Sequence, residues 1–381
     1  MHIVIISRSY PNRINTSSGN FVQNQVEALS AHSNLKIGVV GVYNVSLKAL
    51  AQPNNIRKFG FYQTHKKNIK EYTYLYPVIP KMHFLNHKNK FRIWKALFKR
   101  YIAKNGKPDI VHLHTFEAGN VAMWIKKEYG IPYIVTEHTT LFLQGIEHEW
   151  HSQLAVQTYA ESDYNIAVSE AAGDFLTKKF NKQFHYLPNF VNTKRFIPAT
   201  DKKKQNIKRF INVAYLDSKK NQAMLIKAFH KAFANNPDFE LSIVGKGVQE
   251  EKLKNLIKSL NATNIKLLGY ITQDNIVKLY QQSDYFALSS DIETFGVVII
   301  EAMSCGLPVI ATSCGGPESI IKDQSLGFLS PVNDMDAFSD SLLKLVETSF
   351  DTQHIRNYAI NNFSYDILSN RLIEKYKSFI K

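Results

Sequence analysis

The sequence predicts an α/β protein of two domains, and three observations carry that prediction. At 381 residues, with 44% hydrophobic and 21% charged residues, the chain is long enough to bury two cores of ordinary globular composition. Residues 284–312 change structural type in a fixed order: an apolar run over 285–288, a polar loop, a helix expected to start near Thr294 and stop at Cys305-Gly306, and a second apolar run from Pro308 to Thr312. This is a βαβ unit, whose ligands collect at the strand's carboxyl end against the helix N-terminus. Finally, a polar, lysine-rich run over 200–208 separates one αβ series from another that begins at Arg209, placing the start of the second domain near residue 196.

Taken in order, the opening apolar run 3–6 is too short for a signal peptide and lacks a cleavage site. No apolar run approaches the roughly 18 residues of a membrane span. A helix is expected over 21–31, with Val22, Val26 and Leu29 recurring at helical spacing. The sequence Ser17-Ser18-Gly19-Asn20 before it either brings backbone N–H groups to an anion or makes a plain turn. A strand is expected over 35–43, and 52–70 gives little pattern.

A helix over 91–104 carries Phe91, Trp94, Phe98 and Tyr101 on one stripe, flanked by Arg92, Lys95, Lys99 and Arg100. Two readings stay open. The helix docks shallowly on an anionic leaflet, each basic residue contributing about 1 kcal/mol, or the stripe packs on the domain's own sheet and the lysines are solvated. Strands over 109–114 and 132–137 lead to His114 and His138, where ligands of such sheets collect, although a lone strand-end histidine is more often structural. Cys305 and Cys314 are too few for a zinc site and read as small core or loop residues.

Charge is unevenly distributed. Residues 1–108 hold 18 Lys and Arg against two acids, Glu27 and Glu71, so the whole net charge of +15 belongs to the first third of the chain. An anionic partner is expected there: a membrane surface, a nucleic acid or an anionic acceptor. No nucleic-acid motif or aromatic stacking platform supports the second of these.

In the second domain, Glu293 with the N–H groups of Thr294, Phe295 and Gly296 forms a rim of acceptors and donors that suits hydroxyls and phosphate together. Glu301, about two turns into the expected helix and rotated by roughly 80° from Glu293, would touch another part of one extended ligand. Taken alone, two such glutamates also read as a dipole partner and a solubilising residue. The full string, Glu-Thr-Phe-Gly at 293–296, Glu-Ala-Met-Ser-Cys-Gly-Leu-Pro-Val-Ile-Ala-Thr at 301–312 and Gly-Gly-Pro-Glu at 315–318, is similar to the donor-site signature of the GT4 family of retaining glycosyltransferases. The resemblance covers nearly the whole chain, most strongly 284–318 and least 44–107.

The resemblance implies a GT-B fold: two Rossmann-like domains facing across a central cleft, 1–195 for the acceptor and 196–362 for the donor, with the helix at 363–381 crossing back. It implies transfer of a sugar from a nucleoside diphosphate, most commonly UDP, to a hydroxyl of a glycan or lipid-linked oligosaccharide in bacterial surface polysaccharide synthesis. Catalysis would need neither metal nor resident cofactor, at the cytoplasmic face of the cell membrane. Glu293 would hold the sugar's hydroxyls, Glu301 the ribose diol, His138 the sugar and Lys220 the departing diphosphate. Gly19 would lie beside the phosphates, Thr294, Phe295, Gly296 and Val297 would contribute to the donor site, and the backbone at Tyr270 and Ile271 would line the nucleobase pocket. Two departures stand out: Asn20 where the family has a second glycine, and Tyr215 where its phosphate loop has arginine. An epimerase or phosphorylase on the same plan, a non-catalytic binding protein, and an inactive relative that binds donor without turnover are the rival readings.

Overall fold

The structure, a computed structural model, describes residues 1–16, 18–46, 58–78, 83–200 and 206–380. Ser17, most of the lysine-rich run at 200–208 and part of 52–70 lie outside the described residues. The chain divides into two compact units. One comprises 1–168, 172–190 and the chain from Leu368 onward; the other comprises Ser169–Ala171 and Val191–Ile367. The first unit's main body ends at Phe190, and most of the last helix, Tyr365–Lys377, belongs to the first unit.

The first unit is built on an eight-stranded sheet in the order β3-β4-β2-β1-β5-β6-β7-β8. Its strands are β1 (His2–Ser7), β2 (Lys36–Val45), β3 (Gly60–Lys66), β4 (Ile69–Pro77), β5 (Ile110–His114), β6 (Tyr133–Glu137), β7 (Tyr164–Ala167) and β8 (Phe184–Tyr186). All pairings are parallel except the β3–β4 hairpin. Every residue of β1, β5 and β6 is buried, as parallel strands covered on both faces require. The chain runs from β1 to β2 on one side and returns to β5 on the other, so the strand order reverses between β1 and β5. Ser7 and His114 pair at that reversal, and it is there that open α/β sheets place ligands.

The second unit repeats the plan with six parallel strands in the order β11-β10-β9-β12-β13-β14. They are β9 (Lys208–Val213), β10 (Phe239–Val244), β11 (Ile265–Gly269), β12 (Tyr285–Leu288), β13 (Val309–Thr312) and β14 (Gly327–Ser330). Here the reversal lies between β9 and β12, so the loops after these two strands meet at its carboxyl edge.

Two expectations are corrected. The helix after β12 spans Val297–Ser304, not from Thr294. Glu293 is held outside the helix instead, because its N–H donates to the Cys314 carbonyl at 3.3 Å and it bridges Gly315. Gly296, at φ +100°, then turns the chain into the helix. Glu293 is therefore a loop residue, and its angular offset from Glu301 is not set by helical geometry.

The second correction concerns the basic helix, which runs over His83–Asn105. Trp94 is 4% exposed, and Phe98 and Tyr101 are fully buried in the core with Val4, Val40 and Tyr72. The Tyr101 hydroxyl is 2.6 Å from His2 Nε2 and its ring meets Tyr72 edge-on. Trp94 and Phe98 thus have no area to offer a membrane, and the docking stripe fails for them. Arg92 and Lys99 remain exposed, whereas half-buried Lys95 lies 4.8 Å over the Trp124 ring.

Candidate active site

The second unit gathers its polar groups at the β9/β12 reversal. The loop after β9 folds into a short turn, Ser218–Lys220, whose Lys220 N–H donates to the Asp217 carboxylate. This loop is tied to the loop after β12 by several bonds. Asp291 N–H donates to the Lys219 carbonyl at 2.7 Å, Asn221 Nδ2 to Asp291 Oδ1 at 2.8 Å, and Ser289 Oγ to the Lys220 carbonyl at 2.9 Å. Within this frame the Lys220 ammonium donates to Glu293 Oε1, and Ser290 Oγ donates to the same oxygen at 3.2 Å. The two expected ligands of different donor parts are therefore partners of each other. Burial of the pair is substantial, with side-chain exposures of 22% and 13%.

The second unit's other donor-site candidates follow β9 and β11 or lie on the helix after β12. The helix that opens at Val297 presents the N–H groups of Val297 and Val298, about a turn later than the expected start at Thr294, Phe295 and Gly296, while Ile299 N–H donates to the Gly296 carbonyl at 2.9 Å. Glu301 lies on that helix and accepts from the Tyr280 hydroxyl at 3.3 Å; burial pushes its carboxyl up to about 7. Tyr215 is 57% exposed, and its carbonyl accepts from Gln222 Nε2 at 2.9 Å, which fixes the backbone and leaves the side chain in solvent. Ile271 follows β11 half-buried, and the neighbouring Tyr270 ring lies 4.8 Å below the Lys246 ammonium.

In the first unit, Gly19 caps the helix Asn20–Ser30 at φ +67°, and a Cβ there would lie 2.3 Å from the Ser9 carbonyl oxygen. Asn20 is the first residue of that helix, so the close backbone approach needs glycine only at 19. At the ends of β5 and β6, His114 Nδ1 is 2.9 Å from His138 Nε2. His138 also packs on Phe21 at 4.3 Å. Glu137 fixes the loop that carries His138: it accepts from the N–H groups of Phe116, His138 and Thr139 and from the Tyr159 hydroxyl, at 2.6–3.0 Å. Burial holds the His114 imidazole down at about 3 and lowers those of His112 and His138 as well, so all three rings are neutral.

Several residues of this cluster escape a reading of the sequence. Gln25 Nε2 lies 3.0 Å from His112 Nδ1 and 3.3 Å from His114 Nε2. His112 also meets the Tyr376 hydroxyl at 2.6 Å and Thr136 Oγ1 at 2.7 Å. A signal for Gln25 exists: it stands three residues after Val22 and four before Leu29, a polar group on the buried stripe. Tyr280 and Tyr376 give none, because an apolar helix face accommodates tyrosine without a polar partner. Thr115, next to His114, has φ +65°, which is strained for a β-branched residue, and its Oγ1 is buried without a partner among the described residues.

Comparison with known proteins narrows the class. Sucrose-phosphate synthase from Thermosynechococcus elongatus superposes with a TM-score of 0.79 at 19% identity, covering 99% of this chain and 98% of that one. Anabaena HepE in complex with UDP superposes at 0.75 with 17% identity, covering 99% and 100%. Two doubly wound parallel sheets of this kind define a GT-B protein. Residues 193–362 match the family described as Glycosyl transferases group 1, and residues 50–195 match Glycosyltransferase Family 4. A probable sucrose-phosphate synthase from Thermosipho melanesiensis is 30% identical over 295 residues, 68% of each chain. An Escherichia coli UDP-Gal:alpha-D-GlcNAc-diphosphoundecaprenol alpha-1,3-galactosyltransferase is 27% identical over 300 residues, 71% of this chain and 76% of that one. The chain belongs to the GT4 family and is a glycosyltransferase.

Proposed function

We propose that this glycosyltransferase moves a hexose from a UDP-linked donor, with retention of anomeric configuration, to a hydroxyl of a lipid-linked or glycan acceptor in bacterial surface polysaccharide synthesis. The observation that carries the donor half is the Lys220–Glu293 pair at the β9/β12 reversal, beside the N-terminus of the helix Val297–Ser304. Charge develops on the diphosphate as the sugar leaves. A preorganised ammonium and helix-terminal amides stabilise that charge at little reorganisation cost. The same pair offers a carboxylate to sugar hydroxyls, so one small frame holds both sides of the breaking bond. Glu301 takes the ribose diol, the backbone at Ile271 lies along the nucleobase, and Gly19 allows the β1 loop to approach phosphate. His138 gives the sugar a hydrogen bond.

The acceptor half rests on relatives and charge. The E. coli relative's name specifies a UDP-sugar and a diphosphoundecaprenol-linked sugar, and the Anabaena structure holds UDP. The basic surplus of residues 1–108, with Arg92 and Lys99 exposed, favours an anionic surface at the inner membrane. Among the described residues no helix is long and apolar enough to cross a membrane. The reaction is proposed to run without a metal.

Calorimetric titration with UDP- and GDP-linked hexoses, followed by turnover on a polyprenyl-diphosphate sugar with and without EDTA, tests the reading. Tight binding of a UDP-sugar and an α-linked product from an α-linked donor are expected. Preference for GDP-sugars would remove the UDP assignment, an inverted product the retaining one, and abolition by EDTA the metal-free one. Flotation with no preference for anionic liposomes would remove the membrane surface.

A further inference from the structure

We propose that Gln25 is a positioning residue that sets the tautomer of His138 through His114, so that His138 presents a neutral Nδ1–H donor to the bound substrate. The inference rests on the reading of His138 as a substrate ligand, but its structural part concerns the free protein alone. A neutral imidazole carries one proton, so each ring in a hydrogen-bonded row accepts on one nitrogen and donates on the other. Gln25 Nε2 is a donor. It points both protons at rings, one at His114 Nε2 and the other at His112 Nδ1. His114 Nε2 therefore accepts, and its proton sits on Nδ1, facing His138 Nε2 at 2.9 Å. His138 Nε2 accepts in turn, which puts the His138 proton on Nδ1. Among the described residues Nδ1 of His138 has no partner, and His138 is only half-buried, so this N–H is the open end of the row.

The second branch agrees with the first. With His112 Nδ1 accepting from Gln25, its proton lies on Nε2 and faces Thr136 Oγ1 at 2.7 Å; the Tyr376 hydroxyl, 2.6 Å from the same nitrogen, competes for its one lone pair. The His112 and His114 rings are stacked at 4.5 Å, and the His114 and His138 rings lie within 18° of one plane, so their hydrogen bond is in plane; both arrangements restrict ring flips that would break the sequence. Burial keeps all three rings uncharged across the physiological range, so the order is not erased by protonation. Turning the Gln25 amide over would place an acceptor between the rings, reverse every proton in the His114–His138 row and leave His138 Nδ1 bare. A ligand hydroxyl would then have to donate rather than accept.

The test is 15N NMR of the full-length chain labelled at histidine, which distinguishes protonated from bare ring nitrogens. In the wild type, His114 and His138 are expected in the Nδ1–H form and His112 in the Nε2–H form. Gln25→Glu, which offers only acceptors once its carboxyl is ionised, is expected to shift His114 and His138 to Nε2–H in spectra recorded above that ionisation. Gln25→Met, which offers neither, should release the row with little change in size. Both variants are expected to lower kcat/KM by about 10- to 100-fold, the scale on which a displaced substrate-positioning group acts, in kcat more than in the donor's KM. Nε2–H tautomers at His114 and His138 in the wild type would overturn the inference, as would variants that melt normally and leave both tautomers unchanged. Expected tautomers without turnover of any sugar donor would instead count against the proposed reaction.

Discussion

The Lys220 ammonium donates to Glu293 Oε1, joining the loop after β9 to the loop after β12 at the point where the second sheet reverses its strand order. Both side chains are largely withdrawn from water, so each stabilises the charge of the other before any donor arrives. A bound nucleotide sugar would exchange part of this contact for diphosphate on the lysine and hydroxyls on the carboxylate. Because the two act as one unit, their losses should not add. Lys220→Met and Glu293→Gln are each expected to lower kcat/KM by about 100-fold or more, and the double variant to be little worse than the poorer single. A double-mutant cycle on kcat/KM checks this. Additive losses would mean that the residues serve separate parts of the site.

Tyr215 occupies the family's arginine position with its side chain in solvent and its backbone fixed by Gln222. An exposed ring contributes little to packing, so Tyr215→Arg should fold normally. A guanidinium at this position adds a charge-assisted hydrogen bond to phosphate, worth about 1.5–3 kcal/mol. Donor affinity should therefore rise roughly tenfold or more in calorimetry. Unchanged affinity would show that the loop has moved its phosphate contacts to Lys219 and Lys220.

Glu301 gives a pH dependence of definite sign. Its carboxyl is raised from 4.5 to about 7, chiefly by burial and against the Tyr280 hydrogen bond. Between these values the folded chain holds a proton that the unfolded chain has released. The resulting stability is present below pH 4.5 and is lost as pH rises through about 7. The buried histidines act oppositely, since their lowered values make stability fall as pH drops below 6.5. Comparison with Glu301→Gln cancels the histidines. The variant's melting temperature should gain on the wild type as pH rises from about 5 to about 8. If the ribose diol donates to the carboxylate, wild-type affinity for a UDP-sugar should rise over the same range while the variant stays weak and flat.

The parts of the molecule legible in the sequence are those where one periodicity acts alone. Apolar runs closed by glycine and proline locate β12, β13 and the end of the intervening helix, and polar residues at strand ends locate His114 and His138. Where two physical demands share a residue, the pattern is ambiguous. The aromatic stripe at Trp94 and Phe98 has the same spacing whether it meets lipid or a sheet, and only the packing of Tyr101 and Tyr72 decides. The helix start at Val297 depends on a contact with Cys314 and Gly315, about twenty residues away in sequence, which no local propensity encodes. The tie between Lys220 and Glu293 is likewise long-range: each residue is identifiable from its motif, and their partnership is not.

Gly316 offers a test of how tightly the Glu293 loop must be held. Its φ of −83° is open to any residue, so an alanine there suffers no backbone strain. The obstacle is space, because a Cβ would lie 2.5 Å from the backbone N and Cα of Phe295. Backbone cannot swing aside as a side-chain end can, so the 293–296 and 314–316 segments must part. Parting them strains the Glu293 N–H bond to Cys314 and moves the carboxylate away from Lys220. Gly130 is the matched control: it sits at φ +64° with nothing within 4 Å of where a Cβ would stand, so Gly130→Ala bears only the left-handed penalty of about 1–2 kcal/mol. Gly316→Ala is expected to cost a comparable amount, about 1–3 kcal/mol, by overpacking, and to weaken UDP-sugar binding at least roughly tenfold. Gly130→Ala should lower the melting temperature and leave binding intact. Equal binding by the two variants would mean that the loop's position does not govern the donor site.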